Sequence, residues 1–143
     1  MAKTNQQRKV ESGGIPAGFL LEIPDAKYST GQICLMPVHL EKLRERGFTN
    51  EEIYRIVGPR RTLARRKELQ QPLTPAESDR VLRLQRIYDM VERVFGSPEK
   101  AQRWLRKQNR ALDLVRPIDL LMSETGAHVV EQELHRLDYG MLA

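Results

Sequence analysis

Between Pro59 and Lys67 the chain carries Arg60, Arg61, Arg65, Arg66 and Lys67 with no acidic residue among them. Arginine has a planar fork of donors. It can pair with a phosphate, or donate twice to the O6 and N7 edge of guanine. Arg60, Arg61 and Thr62 stand at the leading end of this segment, where a reading helix meets base edges. Arg65, Arg66 and Lys67 follow one turn later, where phosphates lie. The chemistry on offer is recognition of a polyanion, and the alternative is a basic helix face that simply meets water. The rest of the charge agrees with an uneven footprint. Residues 1–69 hold thirteen Lys/Arg against eight Asp/Glu, whereas residues 70–143 hold eleven of each, so the net +5 lies in the first half.

Other groupings carry less. His128, Glu131, His135 and Asp138 share one strip of a C-terminal helical pattern. The two histidines are seven residues apart, roughly 10 Å along a helix. That span is too long for one zinc ion with bonds of ~2 Å, so a solvated polar strip is expected and no metal. Trp104 is at helical spacing from Ala101 and beside Leu105, which marks it as core. Cys34 has no Lys or His within two residues and reads as a buried small apolar residue, not a nucleophile. A single cysteine forms no internal disulfide and suits a reducing cytoplasm. The chain has no Gly-rich phosphate loop, no Cys/His metal cluster and no spaced Ser/His/Asp set. An enzyme is the least supported class, and no cofactor is expected.

The elements that hold these residues are mainly helical. Of the 143 residues, 30% are charged and mean hydropathy is -0.55. No apolar run approaches the ~18 residues that span a bilayer, so no membrane partner is expected. Residues 1–18 are polar and Gly/Pro-rich, with no apolar stretch of the kind a secretory leader carries. Two apolar runs, Phe19–Ile23 and Ile33–Met36, admit a small β pair that could also join two copies of the chain. Residues 1–36 therefore form an N-terminal segment. Residues 37–72 read as three short helices. Val38, Leu40 and Leu43 line the first, and Ile53, Ile56 and Val57 the second. Leu63 lines the third, after a Gly58-Pro59 turn. Thr49 and Glu52 have capping-box spacing, as do Thr74 and Glu77. Residues 73–143 begin with a long helix to about Phe95, in which Val81, Leu84, Tyr88, Val91 and Phe95 step by three and four. Gly96 should stop it. Ser97-Pro98 opens another helix, Pro117 a short turn, and Ser123 a last helix that Gly140 should end.

Three short helices ending in a basic one suggest a helix-turn-helix. The ordered residues go further. Arg60-Arg61-Thr62-Leu63-Ala64-Arg65-Arg66-Lys67 and Leu73-Thr74-Pro75-Ala76-Glu77 are followed by Val94-Phe95-Gly96, Trp104-Leu105, Asn109, Leu112, Pro117-Ile118, Leu121, Gly126, Val130, Leu134 and Tyr139-Gly140. This series resembles the Xre/MbcA/ParS antitoxins of bacterial type II toxin–antitoxin pairs over roughly residues 35–143. After Leu112 the family often has a Gly-rich turn, where this chain has Asp113-Leu114-Val115-Arg116.

The resemblance implies a homodimer whose helix-turn-helix represses its operon and whose C-terminal bundle neutralises a cognate toxin. Within the family, antitoxins with this domain pairing resemble those partnered with NAD-consuming RES-domain toxins. Neutralisation by occupancy needs a surface that covers or plugs the toxin's active site. The expected surface is the end of the last helix: Tyr139 as an aromatic anchor, His135 and Arg136 at its rim, and Gly140, Met141, Leu142 and Ala143 beyond it. The terminal carboxylate would enter the toxin's pyrophosphate pocket. The alternative is a stand-alone helix-turn-helix regulator whose C-terminal half only dimerises or senses a ligand.

Overall fold

A computed structural model describes residues 25–29 and 31–142. Its first feature is a hairpin of β1 (Ala26–Ser29) and β2 (Gln32–Leu35), antiparallel with Ala26 opposite Leu35 and Ser29 opposite Gln32. The β pair is thus tighter than the one expected between Phe19–Ile23 and Ile33–Met36. The register leaves a two-residue loop, and Gly31 accepts the positive φ (77°) that such loops require. The run Phe19–Ile23 lies outside the described residues. Leu35 at the end of β2 is fully buried. Its N–H donates to Ser78 Oγ (2.9 Å), and its carbonyl accepts the N–H of Leu73 (2.8 Å). The hairpin is thereby tied to the start of the long helix.

Three short helices follow: α1 (Val38–Glu45), α2 (Asn50–Ile56) and α3 (Arg60–Glu68). Their buried residues are those the periodicity picks out, with two differences in α1: Val38 is 44% exposed and His39 is buried beside Leu40, while just before the helix Cys34, expected buried, is half-buried. Leu40 and Leu43 belong to α1, Ile53 and Ile56 to α2, and Leu63 to α3, with Phe48 and Val57 beside them. Each such side chain contributes about 1.5–3 kcal/mol by leaving water. The α2–α3 turn does not depend on a special glycine conformation. Gly58 has no positive φ, and a Cβ there would meet Leu63 Cδ2 and Glu77 Oε2 at an ordinary 3.6 Å. Val57 caps α2, and extended Pro59 (ψ 144°) launches α3.

The long α4 (Pro75–Phe95) is the central rod. Its capping box is complete: Glu77 N–H donates to Thr74 Oγ1 (3.1 Å) and Thr74 N–H to Glu77 Oε1 (2.9 Å). At Thr49 only half of the expected box forms. Glu52 N–H reaches Thr49 Oγ1 (3.2 Å), but the Glu52 carboxylate goes to Arg106. A guanidinium offers it a stronger, charge-assisted partner than a backbone amide. Gly96 closes α4 in the left-handed region (φ 80°), as glycine allows without strain.

The C-terminal part comprises α5 (Pro98–Arg106), 3-10 turns at Arg110–Leu112 and Pro117–Met122, and α6 (Glu124–Leu142). Ala127, Val130 and Leu134 of α6 are fully buried with Ile87 and Val91 of α4 in one core. Trp104 is half-buried against Phe95, with ring centroids 5.5 Å apart. Contrary to expectation, Gly140 does not end α6. It lacks a positive φ, and the helix continues to Leu142. Glycine weakens a helix by about 1 kcal/mol but stops one only when its backbone turns left-handed.

Glu124 clips α6 onto α4. Arg83 Nε donates to Glu124 Oε2 (2.9 Å), and Arg86 Nη2 to Glu124 Oε1 (2.6 Å). These donors, Arg83 first, hold the Glu124 carboxyl below its ordinary range. A depressed folded value means that the stabilisation is present above the unfolded value of about 4.3 and fades as pH falls through the folded one. Glu124→Gln is therefore expected to lower Tm by about 3–5 °C at pH 7, for a loss near 1 kcal/mol. Thermal melts from pH 7 to 3 should show that gap closing. A gap independent of pH would contradict the assignment.

Candidate functional site

Helix α3 hangs on one buried side chain. Leu63 is 2% exposed, and every cation of the segment lies around it. The structure divides the five. Arg60, Arg61 and Arg65 are exposed and make no ion pair among the described residues. Arg66 is instead half-buried, and its Nε donates to Glu77 Oε1 (2.7 Å), the same oxygen that caps α4. Lys67 Nζ lies 3.1 Å from Glu41 Oε1. Thr62 is half-buried. A face of three unopposed arginines at the leading end and middle of α3 is what a polyanion would meet.

Residues outside α3 complete that end. Arg44 Nε donates to Asn50 Oδ1 (2.6 Å), and its Nη2 stands 3.5 Å from the Tyr54 hydroxyl. Arg44, Asn50 and Tyr54 line one groove with Arg60, Lys67 and Glu41, and Glu41 also pairs with Arg44 Nη1 (2.7 Å). Sequence reasoning did not add Arg44 or Asn50 to the basic surface. The available signal was the i,i+4 relation of Asn50 and Tyr54 at the start of α2, where a helix-turn-helix crosses the phosphate backbone.

The two halves of the chain are bolted together. Arg106 donates to Glu52 Oε1 (2.9 Å) and to the Gly47 carbonyl (2.8 Å). Arg55 Nη2 pairs with Asp119 Oδ1 (3.0 Å), and Arg80 Nη1 donates to the Val57 carbonyl (3.1 Å). Hydrogen bonds from Arg116, with help from Arg55, depress the Asp119 carboxyl. The helix that would cross a DNA backbone is thus held by α5 and by the turn before α6.

In its last turns α6 presents His135, Arg136, Tyr139 and Gly140 on exposed positions. Tyr139 is 76% exposed, the most open large apolar residue described. Arg136 is bound to Glu133 through two hydrogen bonds (2.8 and 2.7 Å), which raise its guanidinium above its ordinary value. Around Gly140 there is open space. The Met141 and Leu142 side chains, and Ala143, lie outside the described residues. His128 is exposed beside Gln132, and among the described residues no group of His, Cys, Asp and Glu has the geometry to hold a metal ion. No described helix is long and apolar enough to cross a membrane.

The chain thus joins an arginine-faced helix-turn-helix to a helical bundle whose last helix leaves Tyr139 exposed. Residues 35–86 match the antitoxin Xre-like helix-turn-helix domain, and residues 90–140 match the antitoxin Xre/MbcA/ParS C-terminal toxin-binding domain. The chain belongs to the Xre/MbcA/ParS antitoxin family. It is similar to the "Antitoxin Xre" of Pseudomonas putida, 42% identical over 101 residues, which are 71% of this chain and 64% of that one. The "Antitoxin Xre" of Yersinia enterocolitica is 36% identical over 94 residues, 64% of each chain. The "Prs ADP-ribosylating antitoxin" of Sphingobium sp. is 39% identical over 82 residues, 51% of this chain and 52% of that one. The chain thus spans just under two thirds of the Xre relatives it matches.

Proposed function

We propose that this protein neutralises a cognate NAD-consuming, RES-type toxin by covering or plugging its active site, and represses the shared operon as a homodimer in the cytoplasm. Residues 37–72 read DNA and residues 73–143 hold the toxin. The observation that carries the reading is the match of residues 90–140 to a toxin-binding domain whose last helix leaves Tyr139 exposed. Occupancy asks no bond-making of the antitoxin. It asks for an anchor that fills the cleft and a rim that excludes water. Tyr139 is that anchor, with His135 and Arg136 as rim and Gly140 as the small residue that permits close approach.

Two variants test it. Tyr139→Ala should weaken capture of the toxin encoded beside this chain by about 10²-fold or more. Gly140→Trp should do the same by bulk, since the fold has room for the ring. Both should keep Tm within about 3 °C and leave operator binding intact. Full protection by either variant in a co-expression growth assay would overturn the assignment. Repression that persists in a wild-type chain unable to capture the toxin would favour the stand-alone regulator.

A further inference from the structure

The loop after α5 holds an exposed leucine in a conformation that leucine rarely adopts. Asp113 (φ 54°, ψ 40°) and Leu114 (φ 64°) are successive left-handed residues, and Leu114 is 58% exposed. The loop's backbone enforces this. Asn109 N–H donates to the Val115 carbonyl (3.2 Å), Leu114 N–H to the Asn109 carbonyl (2.9 Å), and Val115 N–H to the Leu112 carbonyl (3.0 Å). The Asn109 side chain accepts from Ala111 N–H (2.8 Å). A left-handed backbone suits Gly or Asn, so a leucine here adds strain, and the core receives little of its side chain in return.

The surroundings are basic. From Lys100 to Arg110 there are five Lys/Arg, and no acid separates Glu99 from Asp113. Arg106 is engaged by Glu52, but Arg103, Lys107 and Arg110 are exposed and make no ion pair among the described residues. Two arrangements fit a basic surface, a phosphate backbone and an acidic protein. Leu114 decides between them, because phosphates offer an apolar side chain nothing.

We infer that the 109–115 loop is a second toxin-contact element, in which Leu114 enters an apolar pocket on the toxin rimmed by acidic residues that face Lys107 and Arg110. This rests on the toxin-binding reading above and extends the contact beyond the end of α6. Being strained in the free chain and anchored in the complex, Leu114 should separate stability from affinity.

The experiment uses the full chain and the purified product of the adjacent toxin gene, titrated calorimetrically, with Tm measured in parallel. Leu114→Asn tolerates the left-handed backbone and lacks the apolar surface. It should hold Tm or raise it by about 2–4 °C while raising Kd about tenfold or more. Leu114→Met should stay within about threefold of wild type. Lys107→Glu with Arg110→Glu should weaken capture and flatten its salt dependence, with operator affinity unchanged. Unchanged Kd for Leu114→Asn beside a wild type that binds would overturn this inference alone. So would a Lys107/Arg110 pair that loses operator DNA and keeps the toxin. A wild type that does not bind the toxin would overturn the functional reading as well, and the wild-type titration separates the two failures.

Discussion

Replacing Arg61 and Arg65 together by alanine should reduce operator affinity by about 10²-fold or more while leaving Tm within about 2 °C. The two guanidinium groups point away from the core and oppose no carboxylate among the described residues. Removing them takes little from the fold. On DNA each would make one phosphate or base contact, worth about 1–3 kcal/mol. The proposed homodimer would lose four such contacts in the double variant, and the slope of log K against log salt should become shallower by up to about 4. Arg66→Ala provides the contrast. Its partner Glu77 is 6% exposed and also caps α4. Truncating Arg66 leaves that carboxylate buried beside one backbone donor, so the expected loss is stability of about 1–3 kcal/mol. Gel-shift titrations at several salt concentrations and thermal melts on the same preparations give both readings. Intact operator binding by the Arg61/Arg65 variant would remove α3 from the reading role.

This division within α3 marks the limit of what the sequence discloses. The stripe of Leu40, Leu43, Ile53, Ile56 and Leu63, the Thr74–Glu77 box and the Gly96 stop are local patterns, and each is realised. The basic run also falls on α3, inside the matched helix-turn-helix domain. Which arginines remain unopposed is a question of long-range partners. Arg66 meets a carboxylate eleven residues away, and Arg106 meets one fifty-four residues away. Nothing in the spacing of charges encodes those meetings. The same holds for Gly140, whose role depends on whether the backbone turns left-handed there, and for Leu114, whose residue type argues against the left-handed conformation that it adopts. Of the β pair only β2 is legible as an apolar run; β1 (Ala26–Ser29) has little apolar content, and the pairing is set by the Gly31 turn and by β2's bonds to Ser78 and Leu73.

Those long-range meetings also bear on how the two halves act together. Arg106 and Arg55 join α2 to α5 and to the turn before α6. Arg66 and Arg80 join α3 and the end of α2 to α4. A load at the C-terminal bundle therefore has a continuous polar route to the helices that would cross DNA. The route consists of charge-assisted bonds, made by the half-buried Arg66, Arg80 and Arg106 and by the exposed Arg55, and such bonds hold a geometry better than neutral ones.

The largest structural effect should come from one methyl group. In Gly126→Ala the added Cβ would lie 1.9 Å from the Leu120 backbone oxygen and 2.8 Å from its carbonyl carbon. Both are backbone atoms of the 3-10 turn that α6 packs upon, so no side-chain rotation relieves the overlap. Either the turn or the first turn of α6 must move. Moving α6 draws Ala127, Val130 and Leu134 from a core in which all three are fully buried, and parts Glu124 from Arg83 and Arg86. The expected destabilisation is at least about 3 kcal/mol, a Tm loss of roughly 10 °C for a chain of this size, with toxin capture lost in consequence. Two other glycines calibrate the result. Gly96→Ala meets no atom within 4 Å but must adopt φ 80°, which costs about 1 kcal/mol. Gly140→Ala meets neither obstacle and should stabilise α6 by about 0.5–1 kcal/mol. Thermal melts of the three variants should rank Gly126 far below Gly96, and Gly96 below Gly140. Native-like stability in Gly126→Ala would mean that α6 and the Pro117–Met122 turn are not packed as closely as described.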